Sequence, residues 1–595
     1  MNLNTTNLPY KAPSTKYFKT KEAFDIGVGQ DFIIEANKLL NKGEQFLVGL
    51  SHGQSPAGAY NYIIEHYNEL KNPQNIRFTF INSPLITQEG LEGIVDARVF
   101  VLQLLREKLI TKEQIIGRNF DASEIDTYCK EVNETLQNYL DSQQKEGLDY
   151  AFLATNPDGR IAGIERRSKA FQSDEISIVV TLKKEKEITI TPSFLRKTKK
   201  IAFLATKSDK RRPLAWLFSI WGKTDESPSF LRFFDDVENR VTVFVDDLAL
   251  TWPQIEIERE TPYGKSLIKI DVPRPYKPNA KEKLPVVLLI HGFLGLNSFD
   301  ALLAAMPTSK YIAAAMHYGS VPTDLPVSDY SKHVVKNIDA VVDFFGSNGH
   351  PVYIFDHSMG NIYFQMMDRD YEKLKGIKTY LKGRIGANPF FGEEAKHAFI
   401  GFLDTVILPS LSFFKSTLES SVLYTLRQLV PFDSKKGVRK RGINLSKMMI
   451  DNESTRRNNA WVAIKKRILY LMTNMDSLPQ LNRIPIENAL NRLPAKIFAI
   501  QVNSALEESK SFDKLIGLTN LKKLPVLILK SEKDGVAKFV PRIYESNNVA
   551  IRDITNNEEK DLFREHLYHM VHPIKTTEII DDFITKTSLE QKISH

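Results

Sequence analysis

The sequence is poor in the features that mark several classes of protein. Its 595 residues include one cysteine, Cys129, which excludes a framework of disulfides within the chain. No run has the uninterrupted apolar length of a membrane-spanning helix, because Ala398 to Phe414 is broken by Asp404 and Pro409. Met1 to Tyr10 lacks the apolar core of a secretory signal. These absences predict a soluble, cytoplasmic protein.

A strong excess of one charge is also missing. The formal net charge of +8 results from 80 basic and 72 acidic residues, and 42% of the residues are hydrophobic. A nucleic-acid-binding protein usually concentrates its basic residues on one face, so we expect no nucleic-acid partner. Local basic clusters at Lys197–Lys200, Lys210–Arg212 and Lys435–Arg441 leave contact with an anionic substrate or a membrane surface open.

Residues 17–252 alternate short apolar runs with helical patterns, whereas Met1 to about Tyr17 lacks periodicity and is expected to be a loose lead-in. The expected strands are Gln45–Leu50, Ile76–Ile81, Tyr150–Ala154, Ile176–Leu182, Ile201–Ala205 and Val241–Val245. Such alternation predicts an α/β domain in which a mostly parallel sheet carries helices on both faces.

Residues 253–595 are expected to form a second α/β domain of the same kind. The segment Gln254–Val272 alternates around the turn Pro262-Tyr263-Gly264 and predicts a hairpin, and a new strand and helix series begins at Pro285. The strand pattern stops over about residues 389–493, which indicates an inserted helical cap. An apolar cap would exclude water and hold an acyl chain, or it would pack on its own core.

A candidate nucleophile lies between a strand and a helix of the second domain. Val352 to Phe355 is an apolar run, Asp356-His357-Ser358-Met359-Gly360 follows it, and a helical pattern begins at Asn361. This is the context of a nucleophile elbow, in which a sharp turn exposes a serine hydroxyl above the sheet. The hydroxyl needs a base to take its proton, so the chain must supply a histidine held by a carboxylate, in the order Ser, Asp, His.

The stretch from about Gln254 onward resembles the α/β-hydrolase family, with a strand that ends in His291-Gly292 and an acidic turn, Lys530 to Gly535, after another apolar strand. The resemblance implies an oxyanion hole formed by the amides of Phe293 and Met359, and Asp534 as the acid.

The resemblance also implies a catalytic histidine about seven residues before a proline that begins the last helix. His566 has that spacing to Pro573, and His569 is the rival base. One position departs from the family pattern, because Asp356 stands where the first glycine of Gly-x-Ser-x-Gly is usual. We expect its side chain to crowd the elbow and to bring a negative charge near Ser358.

Two turns of the first domain suit an anion. Ser51 to Pro56 follows one strand and offers backbone amides and hydroxyls to a phosphate, and Thr155 to Ala162 follows another. With the strand Arg240 to Val245, they resemble the glucosamine-6-phosphate isomerases and 6-phosphogluconolactonases. The resemblance implies sugar-phosphate binding by the following residues: Gly53, Ser55, Asp158, Arg160 and Lys210. It also places Glu165 where the deaminases keep a glutamate.

Two departures from that family bear on turnover. Arg160 replaces the motif histidine and cannot act as a base, and Ser83-Pro84 replaces an acidic pair. A retained site that binds a sugar phosphate or another anion is therefore favoured in this domain.

The leading interpretation is a serine hydrolase of carboxylic esters, lipid esters or thioesters, with an amino-terminal domain that binds a sugar phosphate. The alternatives are a non-catalytic sensor of sugar phosphates or acyl ligands, and a bifunctional enzyme that also acts as a sugar-phosphate isomerase or lactonase. We expect no metal or organic cofactor.

Overall fold

The computed structural model divides into two compact units by its internal contacts, Met1–Trp252 and Pro253–His595. It describes residues 13–84, 97–116, 125–182, 185–217, 227–234, 237–292, 299–322, 324–358, 360–388, 520–521, 524–531, 549–555 and 568–593. Both units are α/β, as the alternation of strand and helix patterns predicts.

The amino-terminal unit is built on a six-stranded sheet. Its strands are β1 Ser14–Phe18, β2 Phe46–Leu50, β3 Ile76–Phe80, β5 Tyr150–Ala154, β8 Lys200–Ala205 and β9 Val241–Asp246. All neighbours pair in parallel, in the order β1-β9-β8-β5-β2-β3. The carboxyl ends of the strands therefore meet along one edge, where α/β sheets bind ligands.

Helices cover this sheet and contribute to its core. They are α1 Lys21–Leu40, α2 Ala57–Glu65, α3 Ala97–Arg106, α4 Ile125–Ser142, α5 Pro192–Leu195, α6 Arg211–Leu217 and α7 Phe230–Phe234. Phe24, Val28 and Phe32 of α1 point into a cluster with Phe152 of β5, and all four are almost completely buried. The Thr20 side chain caps α1 by accepting from the Ala23 N–H at 3.2 Å.

Two expectations for this unit were wrong. The segment Ile176–Leu182 does not join the parallel sheet: β6 Ser177–Leu182 pairs antiparallel with β7 Glu185–Ile190, which in turn pairs with β4 Asn82–Pro84. The lead-in also contains a strand, because β1 pairs with β9 along its whole length.

The carboxyl-terminal unit contains an eight-stranded sheet. The strands are β10 Gln254–Thr261, β11 Gly264–Asp271, β12 Val286–Ile290, β13 Ile312–Met316, β14 Val352–His357, β15 Leu381–Ala387, β16 Val526–Lys530 and β17 Val549–Asp553. Their order is β10-β11-β13-β12-β14-β15-β16-β17. The first two form the expected antiparallel hairpin, β11 joins β13 antiparallel, and all later pairs are parallel.

The described helices of this unit pack on both sides of that sheet's core strands. They are α8 Asp300–Ala305, α9 Tyr330–Ser347, α10 Gly360–Arg369, α11 Lys375–Tyr380, α12 Tyr568–Val571 and α13 Pro573–Ile593. Val334, Ile338 and Val342 of α9 are buried against strands β12 and β14. The predicted cap at residues 389–493 lies outside the described residues. Among those that are described, no helix has the length and apolar character needed to cross a membrane.

Candidate functional site

A cavity of about 360 Å³ opens at the carboxyl edge of the amino-terminal sheet. The loops after four adjacent strands, β3, β2, β5 and β8, supply most of its wall, and β7 supplies the rest. Its lining residues are Ser51, His52, Gly53, Gln54, Ser55, Asn82, Ala154, Thr155, Asn156, Arg160, Ala162, Gly163, Glu187, Thr206, Lys207, Asp209 and Lys210. The lining is polar and contains three basic and two acidic side chains.

The loop after β2 supplies small residues to the cavity. Gly53 has φ +103°, a backbone conformation that favours glycine, and no atom lies within 4 Å of the position its Cβ would take. The side chain of Ser55 is buried beside it, just before α2. The His52 ring stacks on Phe80 with 5.7 Å between ring centroids, and the Tyr60 hydroxyl donates to the Ser51 carbonyl at 3.0 Å. These contacts fix the loop along the cavity wall.

Lys210 also lines the cavity, from the turn that follows β8. Its side chain is almost buried, and its ammonium lies 3.1 Å from the Asp209 carboxylate. Burial lowers the pKa of the Lys210 ammonium, although the charge of Asp209 acts in the other direction. A buried ammonium at the wall of a cavity is well placed to bind an anion, because a ligand's negative charge would compensate its lost hydration.

Arg160 forms a second basic position in the cavity wall. Its Nε lies 2.6 Å from the Asp158 carboxylate, and an Nη atom lies 3.8 Å from the exposed carboxylate of Glu165. The backbone N–H of Arg160 also donates to Asp158 at 3.1 Å. Gly159 has φ +80°, and a Cβ there would lie 2.2 Å from Pro228. The tight turn at Gly159 and the Asp158 carboxylate therefore hold the Arg160 guanidinium in place.

Four of the five residues predicted for sugar-phosphate binding line this one cavity, namely Gly53, Ser55, Arg160 and Lys210. The fifth, Asp158, pairs with Arg160. Ser83-Pro84, which stands where the family has an acidic pair, lies in β4. Of the residues of this strand, only Asn82 lines the cavity.

Sequence reasoning missed Gln54, Lys207 and Glu187. Glu187 is buried on β7 and its Oε2 lies 2.6 Å from the position of a Cβ on Gly163. Its strand was not part of the predicted parallel sheet, so no pattern directed it to the cavity.

In the carboxyl-terminal unit, Ser358 lies in the turn between β14 and α10. It has φ +53°, which is unusual for a residue other than glycine, and its N–H donates to the Ala387 carbonyl at 3.1 Å. The Asn361 N–H donates to the Ser358 carbonyl at 3.2 Å and closes the turn. The serine is thus held in the strained strand-to-helix conformation described for nucleophile elbows.

Two glycines allow other backbone segments to approach this turn. A Cβ on Gly292 would lie 2.8 Å from the Ser358 Cβ, and one on Gly360 would lie 2.8 Å from the Ile290 carbonyl oxygen. The end of β12 is therefore packed directly against Ser358. Burial lowers the pKa of His291, at this strand end, to about 4, so its ring is neutral at pH 7.

The carboxylate of Asp356, expected near Ser358, is paired with a basic residue of the same sheet. Arg384 of the neighbouring strand β15 donates to both carboxylate oxygens, from Nε at 2.5 Å and from Nη2 at 2.8 Å. The same guanidinium donates to Asn361 and lies over the Phe364 ring at 4.0 Å. Because both side chains are completely buried, the Asp356 charge is neutralised beneath the turn.

His569, the rival base, lies on the short helix α12. Its ring is almost completely buried and packs 4.5 Å from the His357 ring and 5.1 Å from the Phe299 ring, centroid to centroid. The structure therefore brings this imidazole against the residue that precedes Ser358. The preferred base His566 and the other predicted residues, Asp534, Phe293 and Met359, lie outside the described residues. Within the part of the chain that is described, no group of acidic, histidine or cysteine residues could hold a metal ion.

Comparisons with known proteins concern the amino-terminal unit. Residues 19–232 match the family model described as glucosamine-6-phosphate isomerases/6-phosphogluconolactonase. A search of curated proteins found no match. The amino-terminal unit is therefore similar to a family of sugar-phosphate enzymes.

Solved structures with a similar chain include two lactonases and a deaminase. The 6-phosphogluconolactonase from Trypanosoma cruzi is 18% identical over 40% of this chain and 96% of that one, with a TM-score of 0.35. The enzyme from Thermotoga maritima is 18% identical over 39% and 99%, with a TM-score of 0.32. A monomeric glucosamine-6-phosphate deaminase is 17% identical over 40% and 98%, with a TM-score of 0.32.

Proposed function

We propose that the amino-terminal unit binds a sugar phosphate in the cavity at the carboxyl edge of its sheet. One observation carries this proposal. Lys210, Lys207, Arg160 and the turn at Gly53 all line one cavity of about 360 Å³. Ammonium groups and exposed backbone amides bind phosphate, and the cavity's hydroxyl and amide side chains suit a sugar's hydroxyls. The match of residues 19–232 to a sugar-phosphate family supports the same ligand class.

Binding rather than turnover is favoured by the arginine at position 160. Ring opening and lactone hydrolysis both need groups that exchange a proton near neutral pH. An arginine cannot act as a base, and Asp158 holds the Arg160 guanidinium, so this residue can bind or orient the ligand. His52 also lines the cavity, and the bifunctional alternative would need it as the group that exchanges a proton.

Calorimetric titration of the full chain with glucosamine 6-phosphate and 6-phosphogluconate tests the proposal. We expect saturable heat with at least one of them and none with glucosamine, which lacks the phosphate. Lys210→Met should weaken binding about tenfold or more, because a hydrogen bond to a charged group contributes about 1.5–3 kcal/mol.

The matched control is Lys38→Met, which removes a lysine that also pairs with a carboxylate but lies on α1, outside the cavity. Binding that survives Lys210→Met unchanged, or an absence of binding to both phosphates, contradicts the proposal. Detectable deamination or lactone hydrolysis that is lost in His52→Gln would instead establish the bifunctional alternative.

We propose, as a second function, that the carboxyl-terminal unit is a serine hydrolase of carboxylic esters or thioesters. The observation in its favour is the positive φ of Ser358 in a tight turn between a parallel strand and a helix. The paired charge of Asp356 removes the main chemical objection to a nucleophile at this position.

In this mechanism the Ser358 hydroxyl attacks the ester carbonyl while a histidine takes its proton. His566 or His569 is the base, Asp534 orients it, and the amides of Phe293 and Met359 stabilise the oxyanion. The histidine then returns the proton to the leaving alcohol or thiol, and water hydrolyses the acyl-enzyme. The packing of His569 against His357 supports its candidacy as the base.

A fluorophosphonate probe tests this second function, because it phosphonylates a serine only when a base activates it. We expect labelling of the native chain, its loss in Ser358→Ala, and a rate at least about a hundredfold lower in the variant of whichever histidine is the base, His566→Gln or His569→Gln. Ser331→Ala, at a buried serine of α9, is the matched control. Labelling that persists in Ser358→Ala would sink this proposal.

A further inference from the structure

One lysine of the cavity has a backbone conformation that glycine normally adopts. Lys207 has φ +75° and ψ 151°, directly after β8 and before the turn that carries Lys210. For a residue with a Cβ this region is disfavoured sterically, and residues are held there only when the surrounding structure demands it. Such strain is concentrated at ligand clamps and active sites, which makes Lys207 a candidate for a specific role in binding.

The Lys207 side chain reaches from the loop after β8 to the loop after β2. Its ammonium donates to the amide oxygen of Gln54, on the loop after β2, while its carbonyl accepts from the Lys210 N–H at 3.1 Å. Lys207 therefore joins two loops that follow different strands. The Lys207 side chain lines the cavity wall, and Gln54 holds its ammonium there.

The partner of this ammonium differs from those of the other two basic residues. Arg160 pairs with Asp158 and Lys210 pairs with Asp209, whereas the described partner of the Lys207 ammonium is the neutral amide of Gln54. Exchanging a neutral acceptor for a phosphate oxygen strengthens a hydrogen bond, and exchanging a carboxylate for it does so far less. Lys207 thus gains most from the arrival of a dianionic group.

We propose that Lys207 is a clamp for the phosphate of the ligand, and that the phosphate replaces the Gln54 amide oxygen as its partner. The proposal rests on the proposed sugar-phosphate binding and adds the residue that selects for the phosphate monoester. The strained backbone at Lys207 therefore accompanies an ammonium whose described partner is a neutral amide. A glycine at position 207 would relieve that strain and remove the clamp.

Two variants separate the charge of Lys207 from its backbone. Lys207→Ala removes the ammonium and keeps the strain, so we expect affinity for glucosamine 6-phosphate to fall about tenfold with little change in melting temperature. Lys207→Gly removes both, so we expect the same loss of affinity together with a melting temperature raised by at least about 2–4 °C. Lys42→Ala is the control, because Lys42 is exposed at the far end of α1.

Calorimetry with glucosamine 6-phosphate and with inorganic phosphate, and thermal unfolding of each variant without ligand, provide the readouts. If the wild-type chain and Lys207→Ala bind glucosamine 6-phosphate equally well, Lys207 is not a clamp, although the sugar-phosphate site remains supported. Wild-type chain that binds neither probe overturns both. A Lys207→Gly variant that melts at or below the temperature of Lys207→Ala overturns the claim that the lysine is strained.

Discussion

Ser358 and Lys207 are among the described non-glycine residues with a positive φ, a conformation that their side chains disfavour. The Ser358 turn could be predicted, because an apolar strand, a short turn with small residues and a helical pattern occur in order around it. Lys207 could not be predicted in this way. Positive φ is inferred from glycine or asparagine, and no residue pattern marks a lysine held in such a conformation by tertiary contacts.

The environment of Asp356 shows a second limit at the scale of single residues. The sequence places a carboxylate two positions before Ser358, and it predicts a negative charge near the nucleophile without indicating its partner. The compensating Arg384 lies on the neighbouring strand, and strand neighbours are not deducible from spacing along the chain. The pair is buried on the sheet beneath the turn, where it also binds Asn361 at the start of α10.

Removing the Arg384 partner should destabilise the carboxyl-terminal unit strongly. Arg384→Met leaves the Asp356 carboxylate buried without its counter-ion, and we expect the free energy of unfolding to fall by about 3–5 kcal/mol. The double variant Arg384→Met/Asp356→Asn should recover much of that loss, because it no longer buries a charge. Urea unfolding measures these differences. Asp582→Asn, which breaks an exposed pair with Lys586, is the control and should cost at most about 0.5 kcal/mol.

If Arg384→Met proves as mild as the exposed control, or if the double variant is no more stable than the single one, the ion pair does not support the turn.

At the scale of elements, most strands of the amino-terminal unit were predicted within about one residue of their observed ends, because buried strands are short apolar runs. The strand β6 was predicted but assigned to the wrong sheet. Its connection to β7 spans only residues 183–184, which is too short for a parallel crossover and forces an antiparallel hairpin. The strand β4, which pairs with β7, lies about a hundred residues earlier, and local pattern does not encode such a pairing.

His291, which follows β12, should make the free energy of unfolding of the carboxyl-terminal unit depend on pH. Burial lowers the pKa of His291 to about 4, whereas an unfolded histidine has a pKa near 6.5. The unfolded chain therefore binds more protons between these values, so the stabilising contribution is complete above pH 6.5 and is lost as the pH falls toward 4. The loss amounts to about 3 kcal/mol at most.

His317 acts in the opposite direction: burial lowers its pKa, but Asp271 outweighs this and the net pKa is raised.

Urea unfolding at pH 7, 6 and 5 measures this dependence, and His291→Asn should flatten it. His66→Gln, at a half-exposed histidine of the other unit, should leave the slope of the carboxyl-terminal unit unchanged. A slope that is the same with and without His291 would show that the acid sensitivity arises elsewhere.

At the scale of the whole molecule, the sequence was sufficient for two α/β units but not for the order of their strands. Alternating strand and helix patterns specify layers, while order depends on which crossovers pack best. The resemblance to sugar-phosphate enzymes brought Gly53, Ser55, Arg160 and Lys210 together in advance, and their common cavity agrees with it. The resemblance did not point to Glu187 of β7 or to Lys207. Both line the cavity because of contacts between segments that are distant in the sequence.

The two proposed sites should act independently. Every residue that lines the cavity belongs to the unit Met1–Trp252, and the described residues around Ser358 all belong to Pro253–His595. Coupling between sites requires that a ligand bind two states of a shared element with different affinity, and it must then act in both directions. We therefore expect a saturating sugar phosphate to leave the rate of Ser358 phosphonylation unchanged within about twofold. The Lys210→Met substitution should also leave that rate unchanged. Phosphonylated chain should bind the sugar phosphate with its original affinity. A change of tenfold or more in either measurement would instead show that the two sites are coupled.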